Sequence, residues 1–443
     1  MWDFIIQHWE PVLTCSIFVI AFIFIIFEVI DKSIVALAAA GTLVLTRILT
    51  FEEAIESINF EIITLLAGMM ILVEIARQSG LFNMVNTHLA RISRGNPFYI
   101  FLLFTLVTAV ASAFLDNVTT ILIVVPITIA LVRGLGYNPL PFVIAEIMLS
   151  NIGGALTLVG DPPNILVGTM AGISFNSFIV HLWIPVLITV IVTLVAFYIL
   201  RWSDLKPIHH NLSKLFLSNL LLRRIRYKFL KTEFETVYMI KVVAMLLLTV
   251  LGFLLQFKLH LPISVIAFAG AIILMILVNK RIHVHQVFNG IEWPTLGFFA
   301  GLFILAHSLE KVGILDIAAH SLLGVTDNFA ILLLIVLWSA GAFSMIVDNI
   351  PFVTVMIPIL FNMRQSLAGE PHLDLLWWAL VLGACFGGNG TIIGASANVI
   401  GVDLAKKEGV KITFISYLKY SFPLTIVALC IASAYLMVWY FYF

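Results

Sequence analysis

A carboxylate and an amide stand side by side twice within strongly apolar stretches of this chain. Asp116 and Asn117 lie in "SAFLDNVTTILIVVP", and Asp348 and Asn349 lie in "FSMIVDNIPFVTVMIP", with a proline nine residues after each asparagine. An ionisable side chain inside an apolar run is costly and usually marks a path for ions or protons. The alternative is a helix N-cap, since both residue types accept hydrogen bonds from free backbone N–H groups.

Two glycine-rich stretches also interrupt apolar runs. They are "GGALTLVGDPPN" (153–164) and "GGNGTIIGASAN" (387–398), which share Gly-Gly, Thr, Gly and Asn at identical spacing. The residue before each proline is pushed away from helical geometry, so a helix is expected to break there and restart as a half-helix. Carbonyls at one half-helix end suit a cation, and free N–H groups at the other suit an anion or a polar solute.

These four stretches supply carboxylate, amide and hydroxyl groups, which are hard oxygen ligands for a cation and partners for a polar solute. We predict no catalytic residue, no metal site and no cofactor, with Na⁺ or H⁺ as the candidate coupling ion. The predicted substrate- and ion-binding residues are Asp116, Asn117, Thr119, Thr120, Asn151, Thr157, Asp161, Asn164, Asp348, Asn349, Thr354, Thr391, Ser396 and Asn398.

Two further residues near these stretches leave alternatives open. Glu146 lies about one turn before Ser150 and Asn151, and it either carries a proton or reaches the membrane interface. Cys385 lies in "GACFGGNG", where it is either a packing residue, as small buried cysteines usually are, or a ligand. The three cysteines of the chain form no CxxC pair, so the sequence indicates neither a disulfide framework nor a thiolate metal site.

The composition indicates a membrane protein. The 443 residues are 62% hydrophobic and 11% charged, whereas soluble domains are about half apolar and a quarter charged. Two apolar runs, 98–134 and 327–363, are too long for one crossing, because a helix of that length would reach about 56 Å against a hydrocarbon core of about 30 Å. We predict an all-α polytopic membrane protein with discontinuous helices, in which each of these runs folds as a re-entrant hairpin.

The two halves of the chain repeat each other at an offset of about 233 residues. "LAGMMILVEIARQSGLF" aligns with "FAGLFILAHSLEKVGIL", and the Asp-Asn and glycine-rich stretches align in the same order. We predict a first repeat at 1–200, a linker at 201–236 and a second repeat at 237–443, each repeat with about five transmembrane helices and one hairpin. Five crossings would insert the repeats with opposite topology, a pattern typical of secondary transporters.

Basic residues are distributed unevenly around the predicted spans. The linker "RWSDLKPIHHNLSKLFLSNLLLRRIRYKFLK" carries eight of them, and Lys32 joins it on the predicted inner side, whereas few lie outside. This bias places the linker in the cytoplasm and both termini outside, in the plasma (inner) membrane. We interpret the linker as an amphipathic segment on the anionic leaflet, in preference to a partner-docking site. The lipid bilayer is thus a partner, and no nucleic acid is expected.

Other classes fit the sequence less well. No GxxxxGK[ST] pattern occurs, so energy must come from an ion gradient, the membrane potential or a separate ATPase subunit. An intramembrane aspartyl protease is disfavoured because "VGDPP" is not GxGD, and we therefore predict that the chain is not an enzyme. A receptor without transport activity would not need a repeat with four breaks.

Three motifs, "LDNVTTILIVVPIT", "SNIGGALTLVGDPPNILVG" and "VDNIPFVTVMIPIL", resemble the ion transporter superfamily, in the branch of arsenite permeases, sodium/proton antiporters and the melanosomal P-protein. The resemblance covers nearly the whole chain. It implies a homodimer with scaffold and transport domains and an elevator-like movement. In the related dicarboxylate carriers the hairpin tips read Ser-Asn-Thr, so the resemblance assigns substrate binding to Asn117 and Asn349, while Asp116 and Asp348 replace serine.

Two carboxylates near the membrane midplane would repel a dianion in a medium of low dielectric constant. The sequence therefore predicts a secondary active transporter of a small inorganic solute or ion, with efflux of arsenite or antimonite as the first hypothesis. A sodium/proton antiporter is the first alternative, and a transporter of another inorganic anion or a small organic acid is the second.

Overall fold

The computed structural model describes residues 9–27, 30–201, 236–326, 328–367 and 369–442. Within these ranges every regular element is a helix, and the chain is an all-α polytopic membrane protein, as predicted. Nearly all of the linker predicted at 201–236 lies outside the described residues.

The described residues of the first half form ten helices. They are α1 (Trp9–Phe27), α2 (Lys32–Leu45), α3 (Phe51–Glu56), α4 (Phe60–Gln78), α5 (Leu81–Ile92), α6 (Pro97–Phe114), α7 (Asn117–Gly134), α8 (Leu140–Gly154), α9 (Pro162–Met170) and α10 (Phe175–Leu200).

The second half repeats this order with one extra short helix, α12. Its helices are α11 (Thr236–Leu254), α12 (Gln256–Leu259), α13 (Ile263–Val278), α14 (Val284–Asn289), α15 (Trp293–Lys311), α16 (Ile314–Leu323), α17 (Phe329–Ile346), α18 (Asn349–Ser366), α19 (Leu375–Gly387), α20 (Ser396–Lys407) and α21 (Phe414–Tyr442). A single 3₁₀ turn, Ile392–Gly394, precedes α20.

Seven described helices are long and apolar enough to cross a membrane, and the bent pair α15 and α16 would make eight. Four shorter apolar helices, α2, α8, α13 and α19, lie among them. The predicted count of five crossings and one re-entrant hairpin in each half, and the opposite insertion of the halves, stay predictions.

Both overlong apolar runs turn at the Asp-Asn pairs, as predicted. Helix α6 ends at Phe114 and α7 begins at Asn117, with Leu115 and Asp116 in extended conformation. The second run turns in the same way between α17 and α18. Both glycine-rich stretches also interrupt a helix, between α8 and α9 and between α19 and α20.

Helices of each half pack against helices of the other half as well as against their own neighbours. Within each half, the first hairpin helix packs on the helix before the glycine-rich break, as α6 does on α8 and α17 on α19. Between the halves, α9 packs on α18 and α20 packs on α7, while α2 packs on α15 and α13 on α4. All four breaks are therefore brought into one central region.

Glycine permits the close approach of α6 and α8. A Cβ added at Gly153 would overlap the backbone of Ala109, and one added at Gly387 would overlap the backbone of Gly341 in the second half. Overpacking of this kind costs about 1–3 kcal/mol. We therefore expect Gly153→Ala to lower the thermal unfolding temperature of the purified protein.

The matched control is Gly41→Ala, because a Cβ at this exposed helical glycine meets nothing within 4 Å. Alanine is the better helix former, so this variant should unfold at the wild-type temperature or slightly above it. Equal unfolding temperatures for the two variants would show that α6 and α8 can separate without cost.

Candidate functional site

The first hairpin tip uses its aspartate as a helix cap. The Asp116 carboxylate accepts hydrogen bonds from the Thr119 backbone N–H at 2.9 Å and from the Thr119 hydroxyl. The Thr120 hydroxyl donates to the Asp116 carbonyl at 3.0 Å. The capping alternative therefore holds at this tip. The carboxylate is only partly buried, so its remaining lone pairs are open to a further ligand.

The second tip uses its aspartate differently. Asp348 makes no side-chain cap to α18. Its carboxylate lies 2.5 Å from the ammonium of Lys32 and accepts a hydrogen bond from the Ser396 hydroxyl at 2.7 Å. The Lys32 ammonium also donates to the Ser396 hydroxyl at 2.7 Å. This tip of the second half is thus bonded to α2 of the first half.

Asp161 joins the two tips. One carboxylate oxygen accepts a hydrogen bond from the Asn117 amide at 3.2 Å, and the other accepts one from the Asn349 amide at 3.3 Å. The Asp161 side chain is 1% exposed, and it is close enough to Asp116 and Asp348 for the three charges to interact. The asparagines of both tips therefore converge on one buried carboxylate, which has Ala395 as its counterpart in the second repeat.

A chain of amides crosses from the first half to the second. Asn117 donates to Asn151 at 3.1 Å, and Asn151 donates to Asn398 at 2.8 Å and to Asn389 at 2.9 Å. Asn398 in turn donates to the carbonyls of Gly388 and Thr391 inside the second glycine-rich break. Hydrogen bonds in such a chain polarise one another, so the first tip and the second break are held together.

A matching set of bonds holds the first break. Asn164 donates to the carbonyls of Gly154, Ala155 and Thr157 at 3.0, 3.2 and 2.7 Å. Cys385 lies 3.2 Å from the Asn164 side-chain oxygen and donates to it. The buried thiol is therefore a hydrogen-bond donor as well as a packing residue. Cys385 occupies the position in the second repeat that Asn151 occupies in the first.

Except for Thr119, the predicted threonines donate to backbone carbonyls. Thr157 donates to Ala113 and Thr391 donates to Met345, and each of these bonds ties a glycine-rich break to the end of the hairpin helix beside it. Thr354 donates to Ile350 within its own helix. These hydroxyls position the backbone, and only their lone pairs remain for a ligand.

Glu146 lies apart from this network. One of its carboxyl oxygens accepts a hydrogen bond from Thr128 at 2.6 Å, and the other has no protein partner. The side chain is fully buried within the protein, and the alternative that it reaches the membrane interface stays a prediction. The proton-carrier role stays a prediction.

The site also contains two charged residues and one amide that the sequence does not mark as binding residues. The sequence places Lys32 among the inner-side basic residues, and it gives no role to Glu292, which is close enough to Asp116 and Lys32 for the charges to interact. The amide is Asn389 of "GGNG". A lysine at the first position of a helix is a detectable signal, because a cation there opposes the helix dipole.

The site is rich in carboxyl groups. Asp116, Asp161, Asp348 and Glu292 surround the tips, and the ammonium of Lys32 stands against them. Among the described residues, no group of three or more His, Cys, Asp and Glu side chains is placed to hold a metal ion.

Broken helices that meet around buried carboxylates and amides within a polytopic helical bundle define a membrane transporter. The family model CitMHS, described as "Citrate transporter", matches residues 22–383 of this chain. The chain belongs to this family and thus to the ion transporter superfamily that its motifs resemble.

Relatives support the same class. An uncharacterized transporter of Mycobacterium tuberculosis is 37% identical over 440 residues, covering 97% of this chain and 99% of the relative. The P protein of Homo sapiens is 31% identical over 492 residues, covering 94% of this chain and 58% of that protein. The arsenite permease branch stays a prediction.

A solved structure shares the fold. The YdaH transporter of Alcanivorax borkumensis superposes with a TM-score of 0.50 and 15% sequence identity, covering 85% of this chain and 84% of that one. At this identity the likeness concerns the fold alone.

Proposed function

We propose that this protein is a cation-coupled secondary transporter whose central site is built on Asp161 between the two hairpin tips. The observation that carries the proposal is the convergence of Asn117 and Asn349, one from each repeat, on the two oxygens of this carboxylate. A buried carboxylate reached from both halves of an inverted repeat is placed to respond to either side of the membrane.

Charge at the site argues for a cation or a neutral solute as cargo. Two unit charges 4 Å apart interact by about 4 kcal/mol at an effective dielectric constant of 20. Asp116 and Asp348 both act on Asp161, so an added citrate or dicarboxylate would meet repulsion from several directions. Citrate, the substrate in the family's description, is therefore not our proposal for this chain.

Arsenite or antimonite is our first proposal for the cargo, with export as the direction. Each is a neutral trihydroxide near neutral pH, so its hydroxyls could donate to the Asp116 and Asp161 oxygens and accept from the Asn117 and Asn349 amides. The ion gradient, the membrane potential or a separate ATPase subunit would supply energy. A homodimer in the plasma membrane with the linker in the cytoplasm belongs to the same proposal.

Sodium/proton antiport is the second candidate, and the excess of carboxylates favours it. Four carboxyl groups stand against one ammonium at the tips, so the site has more carboxyl groups than its own lysine can pair, and these could take up protons or cations. A carboxylate that binds Na⁺ or H⁺ in turn would exchange the two ions with no other solute.

The test is transport in proteoliposomes with imposed Na⁺ and pH gradients, with and without arsenite. We expect gradient-dependent arsenite flux that falls by about tenfold or more in Asp116→Asn, because asparagine keeps the N-cap but removes the charge. The control is Asp403→Asn, which removes an exposed carboxylate paired with Lys407.

The two candidates predict different results in this assay. Sodium-driven proton movement that ignores arsenite would assign antiport and reject the arsenite proposal. Wild-type flux in Asp116→Asn would reject the first tip as the ion site.

A further inference from the structure

The two hairpin tips carry the same Asp-Asn pair but differ in what neutralises the aspartate. We propose that Lys32 is a tethered cation that fills the cation position of the second tip, so that the protein binds one external cation at Asp116 although its repeat supplies two such positions. The inference deepens the proposed function and rests on it for the role of the first tip.

A single substitution between the repeats explains why the tips differ. In the aligned tips "DNVTTILIVVP" and "DNIPFVTVMIP", Thr119 corresponds to Pro351. Thr119 gives Asp116 both a backbone N–H and a hydroxyl. Proline has neither donor. Asp348 therefore lacks the bonds that satisfy Asp116, and its carboxylate is left for Lys32 and Ser396.

Lys32 is also asymmetric between the repeats. "KSIVALA" at the start of α2 corresponds to "ISVIAFA" at the start of α13, so an apolar residue, Ile263, stands where the first repeat has Lys32. The ammonium occupies the first position of its helix, where a positive charge costs about 0.3–1 kcal/mol. The ion pair with Asp348 offsets this unfavourable interaction with the helix dipole.

The surroundings of the pair hold the ammonium in place. It lies 5.1 Å from the centre of the Phe298 ring and shares the Ser396 hydroxyl with Asp348. Asp31 at the start of α2, Glu292 at the start of α15 and Asp161 are the carboxylates that face the pair. A cation from solution could bind Asp348 only by displacing the ammonium, which is covalently fixed to the protein.

Removing the tethered charge should open a second cation site. The test follows the thermal unfolding of the full chain in detergent as NaCl replaces choline chloride at constant ionic strength. We expect Lys32→Gln to be stabilised by Na⁺ with an apparent affinity at least tenfold tighter than that of the wild type. The same substitution combined with Asp348→Asn should lose this gain.

If Lys32→Gln does not fold, a second variant tests the same inference, and a third serves as its control. Pro351→Thr restores the two donors of the first tip and leaves Lys32 untouched, and it should shift the Na⁺ affinity in the same direction by a smaller factor. Lys311→Gln is the matched control, because Lys311 forms a 2.7 Å ion pair with Glu53 away from the tips. Its Na⁺ response should equal that of the wild type.

The inference is overturned if Lys32→Gln and Pro351→Thr respond to Na⁺ as the wild type does, or if the gain survives Asp348→Asn. This readout is binding and needs no transport. Tighter Na⁺ binding by Lys32→Gln without any flux in proteoliposomes would therefore reject the proposed function alone. Flux without tighter Na⁺ binding would reject the tethered cation alone.

Discussion

Asp161→Asn should abolish ion-coupled transport while the protein still reaches the membrane. Both oxygens of Asp161 accept amide hydrogen bonds, from Asn117 and from Asn349. An asparagine offers one acceptor and turns its own N–H groups toward one of these donors. Asparagine also cannot carry the charge or the proton through which a carboxylate couples an ion to transport, so we expect flux to fall by roughly a hundredfold or more.

The measurement is the initial rate of gradient-driven flux in proteoliposomes, normalised to inserted protein. Asp161→Glu keeps the charge but lengthens the side chain, and it should retain some ion dependence where Asp161→Asn retains none. Asp403→Asn again serves as the exposed control. Wild-type rates in Asp161→Asn would make this carboxylate a structural acceptor and remove the basis of the proposed site.

Asn164→Ala and Asn398→Ala should each lower the free energy of unfolding by about 2–4 kcal/mol. The Asn164 amide satisfies three backbone carbonyls of the first break, and the Asn398 amide satisfies two of the second. A buried acceptor left without its donor costs about 1–3 kcal/mol. No water can replace the lost donor unless the break becomes hydrated, so both variants should unfold earlier.

Thermal unfolding in detergent measures this loss, with Asn362→Ala as the control. Asn362 is also an amide in a helix, but it donates to Asp316 on an exposed surface. Because the two breaks are built alike, the effects of Asn164→Ala and Asn398→Ala should be similar. A large loss in one variant and none in the other would show that only one break is rigid.

The four helix breaks were predictable because each depends on local chemistry. Proline, glycine and the Asp-Asn caps act on their own backbone within a few residues, so the sequence alone places the interruptions at the tips and at 153–164 and 387–398. The all-helical membrane class was predictable for a similar reason, since the composition determines it.

The ranking of the carboxylates was not predictable in this way. The sequence marks Asp161 alongside thirteen other candidates, and its repeat counterpart, Ala395, gives it no emphasis, yet the fold brings both tip asparagines to it. Lys32 and Asp348 are separated by 316 positions in the chain, and their pairing depends on α2 packing beside α15 and the second tip. Long-range pairs of this kind have no local sequence signal, so only the assembled bundle reveals them.

The hydrogen bonds that join polar side chains of the first half to those of the second half affect how the protein can be synthesised and inserted. The side-chain oxygen of Asn164 accepts a hydrogen bond from Cys385, which is synthesised 221 residues later. The amide of Asn151 donates to Asn398, which is synthesised 247 residues later. During biogenesis the first half must therefore be held in the membrane with these amides still hydrated or bound by the insertion machinery. Separately expressed halves should each be unstable, and co-expression should restore both breaks together.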